Sequence, residues 1–276
     1  MKKLVILGTY WNESQWIDRS LAQVKSIKPD LVILCDGCFD ETQENRSTDG
    51  TEQKIFDFCS ENSNSLKYKA KRYSRFRSMC YLLKVGLKKK FSLAYIYWVL
   101  KHAIKTDRYR LNQAVTFNYM LEIAINKFGT DFWFMTYDAD QFYDDKYVKD
   151  FKVIINNLCD ECILLTAKEL TFNNDFDHCT DKYESRVWNN FPHKHKRNTV
   201  ILPTRDIKIS NFLSVKKYFD YDRSHVLGKY YHYKFRELES RSKMTYQLGD
   251  RKAPTSDRIS NEFYYNGEHP KVIGKL

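Results

Sequence analysis

The run Asp131-Phe132-Trp133-Phe134-Met135-Thr136-Tyr137-Asp138-Ala139-Asp140 decides how this chain is read. Its first seven residues are strand-like, and the run ends in two carboxylates one residue apart. Where a strand passes into a turn its strict alternation lapses. Both carboxylates can then converge on a point beyond the strand's carboxyl end, where open α/β sheets place their ligands. Hard cations such as Mg2+ and Mn2+ take oxygen ligands, commonly one or two carboxylates plus substrate phosphates. Asp138 and Asp140 are therefore candidate metal ligands beside a nucleotide diphosphate, the bland alternative being a solvated Asp pair that forms a turn.

Upstream, Leu4-Val5-Ile6-Leu7-Gly8-Thr9-Tyr10 is a short apolar run that predicts a buried parallel strand. Asn12-Glu13-Ser14 is expected to open an amphipathic helix carrying Trp16, Ile17, Leu21 and Val24 at helical spacing. Asp30 to Cys35 predicts a second buried strand ending in Asp36-Gly37, and Ser47-Thr48-Asp49-Gly50-Thr51 caps a helix running to about Cys59. A third strand is expected around Leu66 to Arg72 and a helix over Arg110 to Lys127. This βαβα order predicts a parallel sheet with right-handed crossovers.

Thr9-Tyr10-Trp11-Asn12-Glu13, Asp36-Gly37, Ser47-Thr48-Asp49-Gly50-Thr51, Arg110-Leu111-Asn112-Gln113-Ala114 and Asp138-Ala139-Asp140 follow one another in the order seen in family 2 glycosyltransferases of the GT-A fold, which the chain resembles over roughly residues 4 to 145. The resemblance implies a Rossmann-like, mixed but mostly parallel sheet flanked by helices. It implies a nucleotide-sugar donor, UDP-sugar favoured, framed by Thr9, Asn12, Glu13, Asp36, Arg110 and Asp138. The family's acidic motif is continuous, whereas here Cys35 replaces its first Asp and residues 38 to 46 interrupt it. Either Asp36 or Asp49 is left to meet base and ribose, and Asp36 is preferred because it directly follows the strand.

Charge is unevenly distributed. Residues 66 to 110 hold fourteen Lys and Arg against one acid, for +13, while the remainder holds 32 basic and 34 acidic residues, for −2. The segment reads as a basic helical insertion over about 74–109, mixing Arg75, Arg77, Lys84, Lys88, Lys89 and Lys90 with Phe91, Tyr95, Tyr97 and Trp98. Such a mixture suits an interfacial helix on anionic lipid or a groove tracking phosphates. The plain alternative is a helix pair packed on the core with a solvated basic face.

In the last third, Gly228-Lys229-Tyr230-Tyr231-His232-Tyr233-Lys234-Phe235-Arg236 resembles the His-Tyr-rich segment that follows the core in some family 2 relatives. That resemblance makes His232 a third candidate ligand, beside a reading as an ordinary hydrogen-bonded histidine; Mn2+ accepts both nitrogen and oxygen. Lys234 and Arg236 are candidate phosphate contacts. Inverting transfer needs a base for the acceptor hydroxyl, and Asp177 and Glu169 are the candidates in the acidic stretch after the metal motif. Cys35-x-x-Cys38 and Cys159-x-x-Cys162 have zinc-knuckle spacing, but both fall at predicted buried strands, where cysteine acts as a small hydrophobe.

The 276 residues are enough for one large domain, and no apolar run reaches the roughly 18 to 20 residues of a membrane span. Seven cysteines, an odd number, suggest reduced thiols in a cytoplasmic protein, with peripheral attachment to the inner membrane compatible. The expected division is a nucleotide-sugar-binding half, 1–145, and an acceptor-binding half with C-terminal extension, 146–276, sharing one sheet. The 250 to 276 tail reads as irregular. The expected activity is metal-dependent sugar transfer to a cell-envelope glycan or lipid-linked saccharide. A hydroxymethylated base in phage DNA is the rival acceptor, and a non-catalytic nucleotide-sugar-binding module the rival class.

Overall fold

The computed structural model describes residues 1–89, 93–105, 108–158, 164–172, 175–182, 193–195, 199–202, 208–211, 224–233 and 263–274. Lys90, Lys234, Arg236, Cys159 and Cys162 lie outside these residues, as do the side chains of Lys89, Tyr95, Trp98 and Glu169.

Strands β1 (Leu4–Tyr10), β2 (Leu31–Asp36), β3 (Ser65–Lys69) and β4 (Trp133–Tyr137) pair in parallel in the order β3-β2-β1-β4. The first two are apolar runs with almost no exposed residue, as strands covered on both faces must be. Alternate residues feed two cores. Leu4, Ile6, Val32, Leu34, Trp133 and Met135 join one, and Val5, Leu7, Leu31, Ile33, Phe132 and Phe134 join the other. Helix α1 (Ile17–Ile27) buries Ile17, Leu21, Val24 and Ile27 in the first core, and α5 (Arg108–Phe128) buries Phe117, Met120, Leu121 and Ala124 in the second. Helix α2 (Thr51–Glu61) anchors through Ile55. The expected α/β architecture, a sheet between helical layers, is present.

Helix α1 starts later than its sequence suggests. The backbone N–H groups of Asn12, Glu13 and Ser14 donate to Ser47 Oγ, Thr51 Oγ1 and Asp49 Oδ2 at 3.0, 2.9 and 2.7 Å. Asn12 takes a left-handed φ of 52°. These bonds hold residues 12 to 14 in a turn across the sheet's carboxyl edge, and regular helix begins only at Ile17.

Between β3 and α5 stand two helices, α3 (Arg75–Lys89) and α4 (Leu93–Lys105). They pack a small core of Leu82, Val85 and Val99 against Leu111 and Val115 of α5. Helix and basic charge thus coincide where the sequence placed them.

Beyond β4 the sheet is mixed. The strands are β5 (Gln141–Tyr143), β6 (Leu164–Phe172), β7 (His178–Lys182), β8 (His193–Lys194), β11 (Ser224–Tyr233) and β12 (Phe263–Tyr264), with β9 (Thr199–Leu202) and β10 (Lys208–Asn211) forming a separate hairpin. Strand β11 runs parallel to β6 and antiparallel to β5. At its bulge, Gly228 has φ +110° and a Cβ there would sit 2.5 Å from the Tyr147 ring. Over its described residues, 263–274, the tail is less irregular than its composition implies. Strand β12 extends the sheet on β7, Tyr265 and Ile273 are buried, and Lys271 N–H donates to Asp145.

Candidate active site

Asp138, Ala139 and Asp140 fill the turn between β4 and β5, at the carboxyl edge of the parallel strands. The turn is held from below by one amide. Gln23 of α1, 2% exposed, accepts at Oε1 from the Tyr137 hydroxyl at 2.7 Å and from the Tyr143 N–H at 2.8 Å. Its Nε2 donates to the Tyr143 carbonyl at 3.0 Å. The strand residues on either side of the carboxylates are thereby fixed to the same side chain.

The register of β5 with β11 places Gln141 opposite His232. His232 Nε2 lies 3.4 Å from Asp140 Oδ2, and the two side chains are 15% and 16% exposed. Tyr233 N–H donates to the Asp140 carbonyl at 2.8 Å, and the Tyr230 hydroxyl donates to Gln141 Oε1. Burial, with Asp138's negative charge adding to it, pushes the Tyr10 and Tyr143 hydroxyls well up. Carboxylate oxygens, with or without an imidazole nitrogen, are ligand types that suit Mn2+ or Mg2+. Among the described residues no three His, Cys, Asp or Glu side chains are close enough to enclose a cation by themselves. A cation shared with a substrate diphosphate needs only one or two protein ligands.

The donor-side candidates meet in a second knot. Tyr10 and Asp36 are opposite in the β1–β2 register, and Thr9, half-buried, precedes them. The carboxylate of Asp36, 3% exposed, accepts from both the hydroxyl and the N–H of Ser47. Burial raises its pKa against these bonds. Asn12, exposed, accepts from Thr48 N–H at 2.8 Å. Asp49 accepts from Ser14 N–H and Thr51 N–H, bonds that outweigh burial and hold its carboxyl below the usual range. Both acids of the interrupted motif thus tie the loop down, Asp36 from the strand end and Asp49 from the helix start.

The interrupting loop is clamped by residues that sequence reasoning passed over. Arg72 donates to the carbonyls of Cys38 and Gln43, both at 2.8 Å, and Arg108 pairs with Glu41. Asn112, fully buried at the start of α5, donates to the Phe39 carbonyl and accepts from Tyr73 N–H and the Ser78 hydroxyl. It belongs to the Arg110-Leu111-Asn112-Gln113-Ala114 string, and Thr116 and Asn118 are buried polar residues on the same helix. Arg110, two residues earlier, is half-buried in the same first turn of α5.

The remaining candidates separate. Asp177 is exposed in the β6–β7 turn, its N–H donating to Asp175 and its carbonyl accepting from Tyr265. Glu169 is in β6, in register with Tyr230 and Lys182. Arg75, Arg77 and Lys88 are exposed on the α3–α4 hairpin, Arg75 reaching the Ile104 carbonyl and Arg77 stacking over the Tyr73 ring at 4.0 Å. Cys35 and Cys38 are buried, free thiols whose pKa values burial raises.

No family model matches the sequence, and no curated protein matches it. Among solved structures, the chain is similar to S. aureus TarS 1-349 in complex with UDP-GlcNAc, at 14% identity and a TM-score of 0.45, covering 85% of this chain and 59% of that one. It is also similar to glucosyl-3-phosphoglycerate synthase from Mycobacterium tuberculosis in complex with Mn2+, UDP and glucosyl-3-phosphoglycerate, at 11% identity and a TM-score of 0.42, covering 92% and 82%. The chain thus spans about three fifths of the TarS 1-349 structure. The chemistry of the site rests on its own residues.

Proposed function

We propose that this protein is a metal-dependent glycosyltransferase that moves a sugar from a nucleotide diphosphate, a UDP-sugar in the first instance, to an acceptor hydroxyl of a cell-envelope glycan or lipid-linked saccharide. The observation that carries the proposal is the meeting of His232 with Asp140 beside Asp138, at the carboxyl edge of a parallel sheet. A cation held here by one or two of these side chains and by the substrate diphosphate would lie where open α/β sheets bind phosphates.

Thr9, Asn12, Glu13, Asp36 and Arg110 frame the nucleotide, and Asp138 and Asp140 face its diphosphate with His232 behind Asp140. A bound Mn2+ or Mg2+ supplies charge stabilisation for the departing diphosphate. Asp177 and Glu169 are the candidates to take the acceptor proton, from which an inverting displacement follows.

Donor hydrolysis measured with UDP-, GDP- and TDP-sugars, with Mn2+ and with chelator, tests the reading. Hydrolysis of one donor that chelator abolishes and Asp140→Ala reduces by about a hundredfold or more is expected, in line with loss of metal-assisted charge stabilisation. Metal-independent turnover, or turnover in Asp140→Ala within twofold of the parent, sinks it.

A further inference from the structure

Helix α4 is apolar on more than one side. Val99 is buried against α3 and α5, yet Leu93, Tyr97, Leu100 and Ile104 are exposed, at 75, 61, 36 and 73%. Their spacing of four, three and four residues puts them in one stripe along the helix. Phe76 and Leu87 of α3 are exposed too, at 71 and 47%. Half of the large exposed apolar side chains among the described residues, six of twelve, therefore belong to this hairpin.

The same hairpin is strongly basic. Residues 75 to 105 contain eight Lys and Arg and no Asp or Glu. Arg75, Arg77, Lys84, Lys88 and Lys101 are exposed, and Lys101 Nζ lies 5.6 Å from the centre of the Tyr97 ring. Arg75 bonds the Ile104 carbonyl at 3.3 Å, tying the start of α3 to the end of α4. Among the described residues no helix is long and apolar enough to cross a membrane.

We propose that the outer face of the α3–α4 hairpin seats the protein on an anionic lipid bilayer. Leu93, Tyr97, Leu100 and Ile104 enter the boundary between headgroups and acyl chains while the flanking cations meet the headgroup phosphates. Charge selects an anionic surface. Aliphatic side chains select lipid over nucleic acid, because a phosphate-tracking groove uses cations and aromatic platforms and gains nothing from exposed Leu and Ile. This surface is separate from the proposed transfer chemistry, and its test does not depend on turnover.

The test is flotation of the whole chain with vesicles of phosphatidylcholine alone or mixed with phosphatidylglycerol, at low and high salt. Binding to the mixed vesicles at low salt, about tenfold or more above binding to phosphatidylcholine alone, is expected. Leu93→Glu with Ile104→Glu is expected to lower that binding at least about tenfold, with an unchanged melting temperature. Lys88→Glu with Lys101→Glu, a second variant that leaves the apolar stripe intact, should lower it and flatten its salt dependence. No flotation with anionic vesicles at low salt overturns the proposal. So does equal binding to both vesicle types, or a stripe variant that binds as well as the parent. Salt-sensitive binding to DNA without vesicle binding assigns the face to nucleic acid, and self-association lost in the stripe variant without vesicle binding assigns it to a second copy; both overturn the lipid seat.

Discussion

His232 Nε2 stands 3.4 Å from Asp140 Oδ2 because the short pairing of β5 with β11 brings the last third of the chain back to the turn after β4. In the proposed reading, His232 backs the carboxylate that would meet the cation.

Replacing His232 with Ala is expected to raise the Mn2+ concentration needed for half-maximal donor hydrolysis by about tenfold, equivalent to roughly 1.4 kcal/mol, with a smaller effect on Mg2+, which prefers oxygen ligands. Metal titrations of parent and variant read this directly. Equal response to both metals would show that the imidazole serves only the fold.

Gln23→Leu keeps the volume of the side chain but removes the bonds that Gln23 makes to the Tyr137 hydroxyl and to the N–H and carbonyl of Tyr143. A loss of about 2–4 kcal/mol in unfolding free energy is expected from groups of this kind. Urea denaturation measures it, and Gln23→Glu, which retains an acceptor, should restore part of the loss at acidic pH.

Gly37 has φ +135°, and a Cβ there would lie 2.6 Å from the Asn45 carbonyl oxygen and 2.8 Å from Ala70 Cβ. Both the backbone conformation and the close approach oppose Ala. Gly37→Ala is expected to cost about 2 kcal/mol or more and to weaken nucleotide binding, since it pushes the loop off Asp36. Calorimetric titration with UDP, compared at matched folded fraction, separates the two effects.

His269 gives a pH dependence with a definite sign. Burial lowers its pKa from the usual 6.5, against smaller raising contributions from the Phe176 backbone and the Asp177 carboxylate, and its Nδ1 pairs with the Tyr233 hydroxyl at 2.7 Å. The unfolded chain therefore takes up the proton first as pH falls. Stability is full above about 6.5 and declines as pH drops from there toward the lowered folded value. Melting temperature measured between neutral and mildly acidic pH should fall less in His269→Gln than in the parent.

The sequence showed the first half well because its signals are local. β1, β2 and β4 are apolar runs, α2 follows a cap-rich stretch, and the carboxylates of Asp138 and Asp140 sit where a strand ends. The second half depends on pairing between distant short strands, which periodicity does not encode. His232 was identified by resemblance, but its contact with Asp140 required the β5–β11 register. Gln23 was invisible because a polar residue between Leu21 and Val24 looks like a helix's wet side until its partners on β4 and β5 are known. For α4 the sequence left an interfacial helix, a phosphate-tracking groove and a core-packed helix all open. Only the packing shows which of its apolar residues is covered, Val99, while Leu93 and Ile104 are not.

The stretch from Gly37 to Arg46 leaves the end of β2 at Asp36 and returns to that same carboxylate through Ser47. In polymer terms it is a side loop with nearly coincident ends, for which closure alone costs only about 0.6 kcal/mol more per doubling of length. A change of length there would fall first on the contacts that Arg72, Arg108 and Asn112 make with the loop, before it reached β2 and α2. The break in the motif is thus a place where chain length is set at the sheet's edge rather than within the strands beneath it.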